Sequence, residues 1–407
     1  MQVSKMKKYA RLIVHRGANV QPGQDVIVYA DLDQPEFVRY LVIEIYRAEA
    51  RSVEVKWNYP PLTKAKYQYE KLKVLGKVTE WEKARLQHYV DTKPVRIYLE
   101  SSDPAGLKGI NQKKVSRTSQ IRYPIIKGYR DAMENKYQWC IAGVPGIEWA
   151  RHVFPDIPKI QALEALWDAI LKVSRADGAD PISAWDEHNA NLKARCDWLN
   201  DYRFKELRYK ASNGTDFRVG LLPNAKFLGG RDKTLDGVWY NPNIPSEEVF
   251  TSPRKGDADG IVYSSKPLSY RGNIIDEFWL RFENGKVVET GAKKGAKLLK
   301  EMVSLDEGAS MLGEVALVPY DSPISNSGIT FWNTLYDENA SCHSALGAAF
   351  NNALDGYESL TLEEIREDIN DSMIHVDFMI GTKDLEIIGI TPNGKEIQIF
   401  KNGNWAF

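Results

Sequence analysis

Two hydrophobic rhythms divide this chain. In its first part, apolar residues recur alternately at helical spacing and in short continuous runs. Met6, Tyr9, Ala10, Ile13 and Val14 mark a helix over residues 4 to 17. Pro22-Gly23 then turns the chain into the apolar run Asp25 to Ala30, and Phe37, Leu41, Ile45 and Ala48 line one face of a helix from about 34 to 50. Strand-like runs follow at 52–57, 95–100 and 137–142, with helical patterns at about 63 to 91, 112 to 133, 146 to 153 and 159 to 174. Strands separated by helices of this length predict an α/β domain, a mostly parallel sheet with helices on both faces. No G-x-G-x-x-G or G-x-x-x-x-G-K-[ST] follows any of these strands, so the pattern does not support a nucleotide site.

The periodicity breaks at Arg175 to Pro181, and a charged helix follows from about Ser183 to Phe204. We place the domain boundary there: residues 1–182 form the α/β domain and residues 183–407 the second domain. The second rhythm is that of hairpins. Asn-Gly occurs at 213–214, 284–285, 393–394 and 402–403, all beyond residue 205. Between strand-like runs it is a strong hairpin signal, because a type I′ turn needs positive φ at both central residues. Phe278 to Phe282 should pair with Lys286 to Glu289, and Leu385 to Ile390 with Glu396 to Phe400. A mainly antiparallel β domain is expected, with helices at about 292 to 301, 340 to 350 and 361 to 367.

Composition narrows the class. At 407 residues, with 43% apolar and 27% charged residues, two globular domains are expected. A net charge of -1 gives no electrostatic reason to expect nucleic acid or an anionic membrane as partner. The three cysteines, Cys140, Cys196 and Cys342, are too sparse for a disulfide framework or a zinc finger and fit a reducing compartment. The N-terminal stretch MQVSKMKKYARLIV lacks the apolar core of a signal peptide, and no run of about 18 apolar residues occurs. A cytoplasmic, soluble protein is expected.

Candidate chemistry gathers in the second part. In SMIHVDFMIG, read as a strand, His375 and Asp377 are two apart and share a face, while Ile374, Val376, Phe378 and Ile380 point the other way. That pair suits a divalent metal or a structural hydrogen bond in equal measure. His343 lies in the small-residue run ENASCHSALG, expected to start a helix. Glu314 follows Gly313 at an apolar strand, where burial is costly unless the acid is paired or bound to metal. Glu247 and Glu248 follow Pro242 and Pro245 and precede Val249-Phe250. The other four histidines, His15, His88, His152 and His188, read as surface or capping residues. Cys342 and His343 are neighbours that point apart, which disfavours a Cys–His nucleophile. Glu248, Glu314, His343, His375 and Asp377 exceed the three ligands of an open zinc site and suit two metals sharing a carboxylate, a hydrolytic device. The nitrogen and oxygen donors suit zinc, cobalt or manganese.

These segments also carry a resemblance. NPNIPSEEVFTSP, LGEVALVPYDSPIS, FWNTLYDENASCHSALGAAF, HVDFMIG and the terminal GNWAF, with ALWDAI and DPISAWDEHNANL, make the sequence similar to the aminopeptidase S / aminopeptidase T family of dinuclear metalloaminopeptidases. The resemblance covers nearly the whole chain. It implies a two-domain homodimer with an internal cavity that removes N-terminal residues from peptides with a free amino terminus, with broad preference. It places the metal ligands on Glu248, Glu314, His343, His375 and Asp377; Glu247, beside a ligand, is the candidate general base. One position departs. Seven residues after His343 the family commonly has an active-site Tyr, and here Phe350 stands. A phenol can donate a hydrogen bond to a developing oxyanion and a phenyl ring cannot; Tyr336 and Tyr357 are the sequence-near substitutes. Other readings are a peptide-binding or structural metalloprotein with hydrolysis weakened or lost, or a dinuclear metallohydrolase acting on another amide or a phosphoester.

Overall fold

Four parallel strands open the fold of the computed structural model, which describes residues 3–101 and 103–407. They are β1 (Asp25–Asp31), β2 (Ser52–Asn58), β3 (Val95–Glu100) and β4 (Trp139–Gly143), hydrogen-bonded in the order β4-β3-β1-β2. Each connection between parallel partners requires a crossover, and helices supply it. The helix Pro35–Arg47 between β1 and β2 starts on a proline, whose missing N–H costs nothing in a first turn, and buries Phe37, Val38, Leu41 and Ile45. Tyr9 and Trp167, from helices on either side in sequence, meet the Phe37 ring at 5.8 and 5.6 Å. The parallel sheet with helices is as the periodicity predicts.

Compact units do not follow the chain in simple order. One comprises Met1–Asn189 with Gly230–Ser246, and the other Ala190–Gly229 with Glu247–Phe407. The inserted segment gives the first sheet a fifth strand, Asn243–Ile244, parallel to β4. Nothing in its Pro- and Asn-rich sequence announced that pairing. The division falls inside the helix Pro181–Tyr202, at whose start the expected split between 182 and 183 lies.

In the second unit the strands gather, among the described residues, into two sheets. The larger has nine strands and contains the hairpins expected from Asn-Gly, Asn273–Glu283 with Lys286–Lys294 and Glu386–Ile390 with Glu396–Lys401. The smaller is antiparallel and has five: β5 (Leu228–Gly229), β6 (Val249–Thr251), β7 (Leu312–Leu317), β8 (His343–Gly347) and β9 (His375–Met379), in the order β9-β8-β7-β6-β5. One hydrophobic core joins them: Val249, Val315, Leu346 and Phe378 from the smaller sheet pack with Tyr209, Phe217, Leu280 and Ile387 from the larger.

One expected helix is a strand. The run at about 340 to 350 forms β8, a central strand with every residue buried. Ser341 is already extended, at φ -165° and ψ 167°. Small side chains in sequence suggest a tight helix start; here they are what a strand enclosed by β7 and β9 can fit. The helices expected near 292 to 301 and 361 to 367 are present as Ala296–Val303 and Leu362–Asp368.

Candidate metal centre

Cross-strand register decides which side chains meet. Residues directly opposite in antiparallel strands share a face. Ala345 lies opposite Asp377, and Gly347 opposite His375. His343 lies opposite Ala316, and Glu314 opposite Ala345. Phe250 lies opposite Ala316, which puts Glu248, two residues earlier, on the same side. One face of the small sheet therefore bears Glu248, Glu314, His343, His375 and Asp377, with Ala316, Ala345 and Gly347 between them. The alanines and glycine leave room above the sheet. The opposite face supplies the core.

Glu314 reaches that face through a bulge. The β7–β8 register shifts between Leu312 and Glu314, with Gly313 as the extra residue. A Cβ on Gly313 would lie 2.2 Å from the Ala348 carbonyl oxygen and 2.5 Å from that of Gly347, so no other residue fits without displacing β8.

The five side chains form two groups that share Glu314. Glu248, Glu314 and His343 make one, and Glu314, His375 and Asp377 the other; within each, one ligand atom per residue lies within 4.8 Å of the rest. His343 Nε2 is 3.1 Å from Glu248 Oε2. His375 Nε2 is 3.0 Å from Glu314 Oε2 and 3.3 Å from Asp377 Oδ1. Each ring turns the same nitrogen inward because backbone carbonyls hold the other. His343 Nδ1 donates to the Glu338 carbonyl at 2.9 Å, and His375 Nδ1 to that of Ala348 at 2.7 Å. A ring held this way presents Nε2 to a metal.

Charge in this centre is unbalanced. Burial pushes Glu314 up to about 7, against the hydrogen bond from His375 and with help from the nearby Glu248 and Asp377. Burial opposes charge on His343, but the hydrogen bond to Glu248 and the surrounding acids push it up to about 10. His375 is held well above its ordinary value by Asp377 and Glu314, again against burial. Partial burial opposes charge on Asp377, but His375 holds it below the usual carboxylate range. A further acid belongs to this group: Glu338, pushed well above the carboxylate range by burial and then by Asp377 and Glu248. Four carboxyl groups thus surround two imidazoles, an excess of buried negative charge that divalent cations would neutralise. The donor set, its closeness and its locked tautomers fit metal ions.

Other sequence candidates fall as follows. Glu247 is buried, and its N–H donates to Asn339 Oδ1 at 2.6 Å. Phe350 packs its ring 4.8 Å from that of His375 and 5.2 Å from that of Phe250. Tyr336 stacks on Phe331 at 4.7 Å, and Tyr357 packs on a separate cluster of Leu222, Leu354, Ile365 and Ile369. Cys342 faces Val318, its Sγ 3.3 Å from the carbonyl oxygen, and burial pushes its thiol up to about 12. His188, expected at the surface or as a cap, is buried, with Nε2 2.6 Å from the Ser246 carbonyl and its ring edge-on to Trp185. Glu338 and Asn339 carry no signal of their own in the sequence, where they open the small-residue run around His343.

The model of a family described as thermophilic metalloprotease (M29) matches residues 2–405. The chain belongs to the M29 metallopeptidase family. It is similar to "Aminopeptidase AmpS" of Bacillus subtilis, with 42% identity over 99% of this chain and 98% of that one. It is 36% identical to "Aminopeptidase T" of Thermus thermophilus over 98% of both chains. The solved structure of wild-type AmpT from Thermus thermophilus superposes with a TM-score of 0.88 at 34% identity, covering 99% of each chain. Membership makes this chain a metal-dependent hydrolase. A dioxygenase from Pseudomonas putida shares the fold alone, at 11% identity and a TM-score of 0.50, so the fold by itself does not specify the reaction.

Proposed function

We propose that this M29 metallopeptidase is an aminopeptidase of broad preference whose centre holds two divalent ions, zinc, cobalt or manganese. The observation that carries the reading is the pair of ligand groups joined at Glu314. Glu248 and His343 would hold one ion, His375 and Asp377 the other, and Glu314 both. When bound, such ions supply Lewis acidity and lower the pKa of water. The chain's own residues do the rest. The Glu338 and Ala348 carbonyls fix the two imidazoles, and the Gly313 bulge aims Glu314. Glu247 is the proposed proton acceptor: it is buried and adjacent to Glu248. Side-chain alternation would turn it away from the centre, so this role needs a kink at that residue. A cytoplasmic homodimer completes the reading: the family likeness supports the dimer, and three free, buried cysteines support a reducing compartment. No described helix is long and apolar enough to cross a membrane.

The test is to strip metal with a chelator, refill with zinc, cobalt or manganese, and follow release of p-nitroaniline from Leu-p-nitroanilide alongside metal content. Activity should return with about two ions per chain. Failure to release an N-terminal residue with any metal would reject the reading. A second reading, a peptide binder with weakened hydrolysis, is favoured by Phe350 against His375. Peptide binding without turnover in the same experiment would support it.

A further inference from the structure

We infer that the ring pair Phe250 and Phe350 is the wall that receives the side chain of the peptide's first residue, grading the broad preference toward large apolar residues. This rests on the aminopeptidase reading and names the substrate class within it. Cross-strand register builds a slot beside the ligands. Phe250 and His343 both lie opposite Ala316, one on each side of it, so all three share the ligand face. Two strand spacings separate the outer backbones by about 10 Å, and only the Ala316 methyl group stands between them. Ring contacts at 5.2 Å to Phe250 on β6 and 4.8 Å to His375 on β9 carry the Phe350 ring across the same face. Exposure separates the rings from the ligands next to them. Glu248, Glu314 and His343 are buried, whereas Phe250 and Phe350 are only partly so. Apolar ring surface is therefore left uncovered beside the centre, where covering it is favourable.

The wall is also fixed. Phe350 lies beyond the end of β8, outside its ladder. Ser252, which has no exposed surface, takes both of its backbone groups: the Ser252 hydroxyl oxygen accepts from the Phe350 N–H at 2.9 Å, and the hydroxyl donates to the Phe350 carbonyl at 3.0 Å. The short segment from Phe250 to Ser252 thus supplies one ring and positions the other. An aminopeptidase cleaves the bond after the first residue, so that residue's side chain must lie close to the ligands. A Leu or Phe side chain there would cover the two rings. A Gly or Ala would leave them bare, and an Asp would set a carboxylate against apolar surface.

The test uses the metal-loaded protein and two readouts. One is kcat/KM on the p-nitroanilides of Leu, Phe and Ala; the other is calorimetric affinity for free L-leucine and L-alanine. The wild type should favour the large residues over Ala about ten- to two-hundredfold, the range open to an apolar pocket. Phe250→Ala should cut the Leu-to-Ala ratio about tenfold or more in both readouts, with metal content unchanged. Ser252→Ala keeps both rings but frees Phe350; it should lower the same ratio by a smaller factor, through KM more than through kcat. A wild type that treats the three substrates alike, a ratio left intact in either variant, or loss of metal in Phe250→Ala would overturn the inference. Should Phe250→Ala fail to fold, Phe250→Leu keeps apolar packing without the ring and should still lower the Phe-to-Ala ratio; an unchanged ratio would overturn the inference as well. Failure to hydrolyse any of the p-nitroanilides rejects the aminopeptidase reading instead, and the calorimetric ratio then still tests the wall.

Discussion

Phe350 is the residue whose identity most affects the chemistry of this centre. Its ring lies 4.8 Å from the His375 imidazole, within reach of the ligands, and offers no hydrogen-bond donor there. One oxyanion donor is typically worth about a hundredfold to a thousandfold in turnover. Phe350→Tyr adds a hydroxyl without removing the ring contacts to His375 and Phe250. We expect kcat on Leu-p-nitroanilide to rise about tenfold or more, with metal content unchanged; steady-state kinetics and metal analysis check this. An unchanged kcat would mean that a donor is already present elsewhere.

At the scale of elements, the bulge in β7 does what no single ligand does: it sets the face on which Glu314 appears. In a regular strand a shift of one residue sends a side chain to the opposite side of the sheet. Gly313 permits the bulge because β8 passes so close that a methyl group would overlap the Ala348 and Gly347 carbonyl oxygens. Gly313→Ala should therefore destabilise the protein by about 1–3 kcal/mol, the usual cost of overpacking. It should also lower metal content, because Glu314 belongs to both ligand groups. Thermal unfolding and metal analysis on one preparation would show both effects. A stability loss with full metal content would mean that the bulge serves packing alone.

Across the whole molecule, buried acid makes the metal-free protein sensitive to pH. Burial raises Glu314 from 4.5 to about 7 and Asp337 from 3.8 to about 6. A group whose folded pKa is raised stabilises below its unfolded value and loses that contribution as pH rises through the folded one. His343, raised from 6.5 to about 10, has the same sign at higher pH. The Tm of the metal-free protein should thus fall as pH goes from 4.5 to 7, the window set by Glu314. Glu314→Gln should flatten that fall, and a divalent cation added at neutral pH should raise Tm by binding the folded state. Calorimetric scans across this range check the sign; a metal-free Tm that climbs between those limits would contradict it.

The sequence by itself determined the rhythm of the fold and the chemical identity of the centre. Helical spacing and apolar runs over residues 4 to 174 marked the crossovers of a parallel sheet, and Asn-Gly pairs marked the hairpins, because period and turn chemistry are local properties. His375 and Asp377 could be placed on one face from their spacing in a single strand. Glu248, Glu314 and His343 became a set only by pooling weak signals and through the family resemblance. Register was not legible. It depends on a bulge at Gly313 and on which strands become neighbours. For the same reason His343 read as a helix start: the crowding that favours small residues comes from β7 and β9, far away in sequence. Glu338 opens the same small-residue run without a signal of its own, and it is tertiary packing that buries it beside four ligands. Burial is what turns an ordinary acid into a group that seeks a cation, and burial is decided by the rest of the molecule.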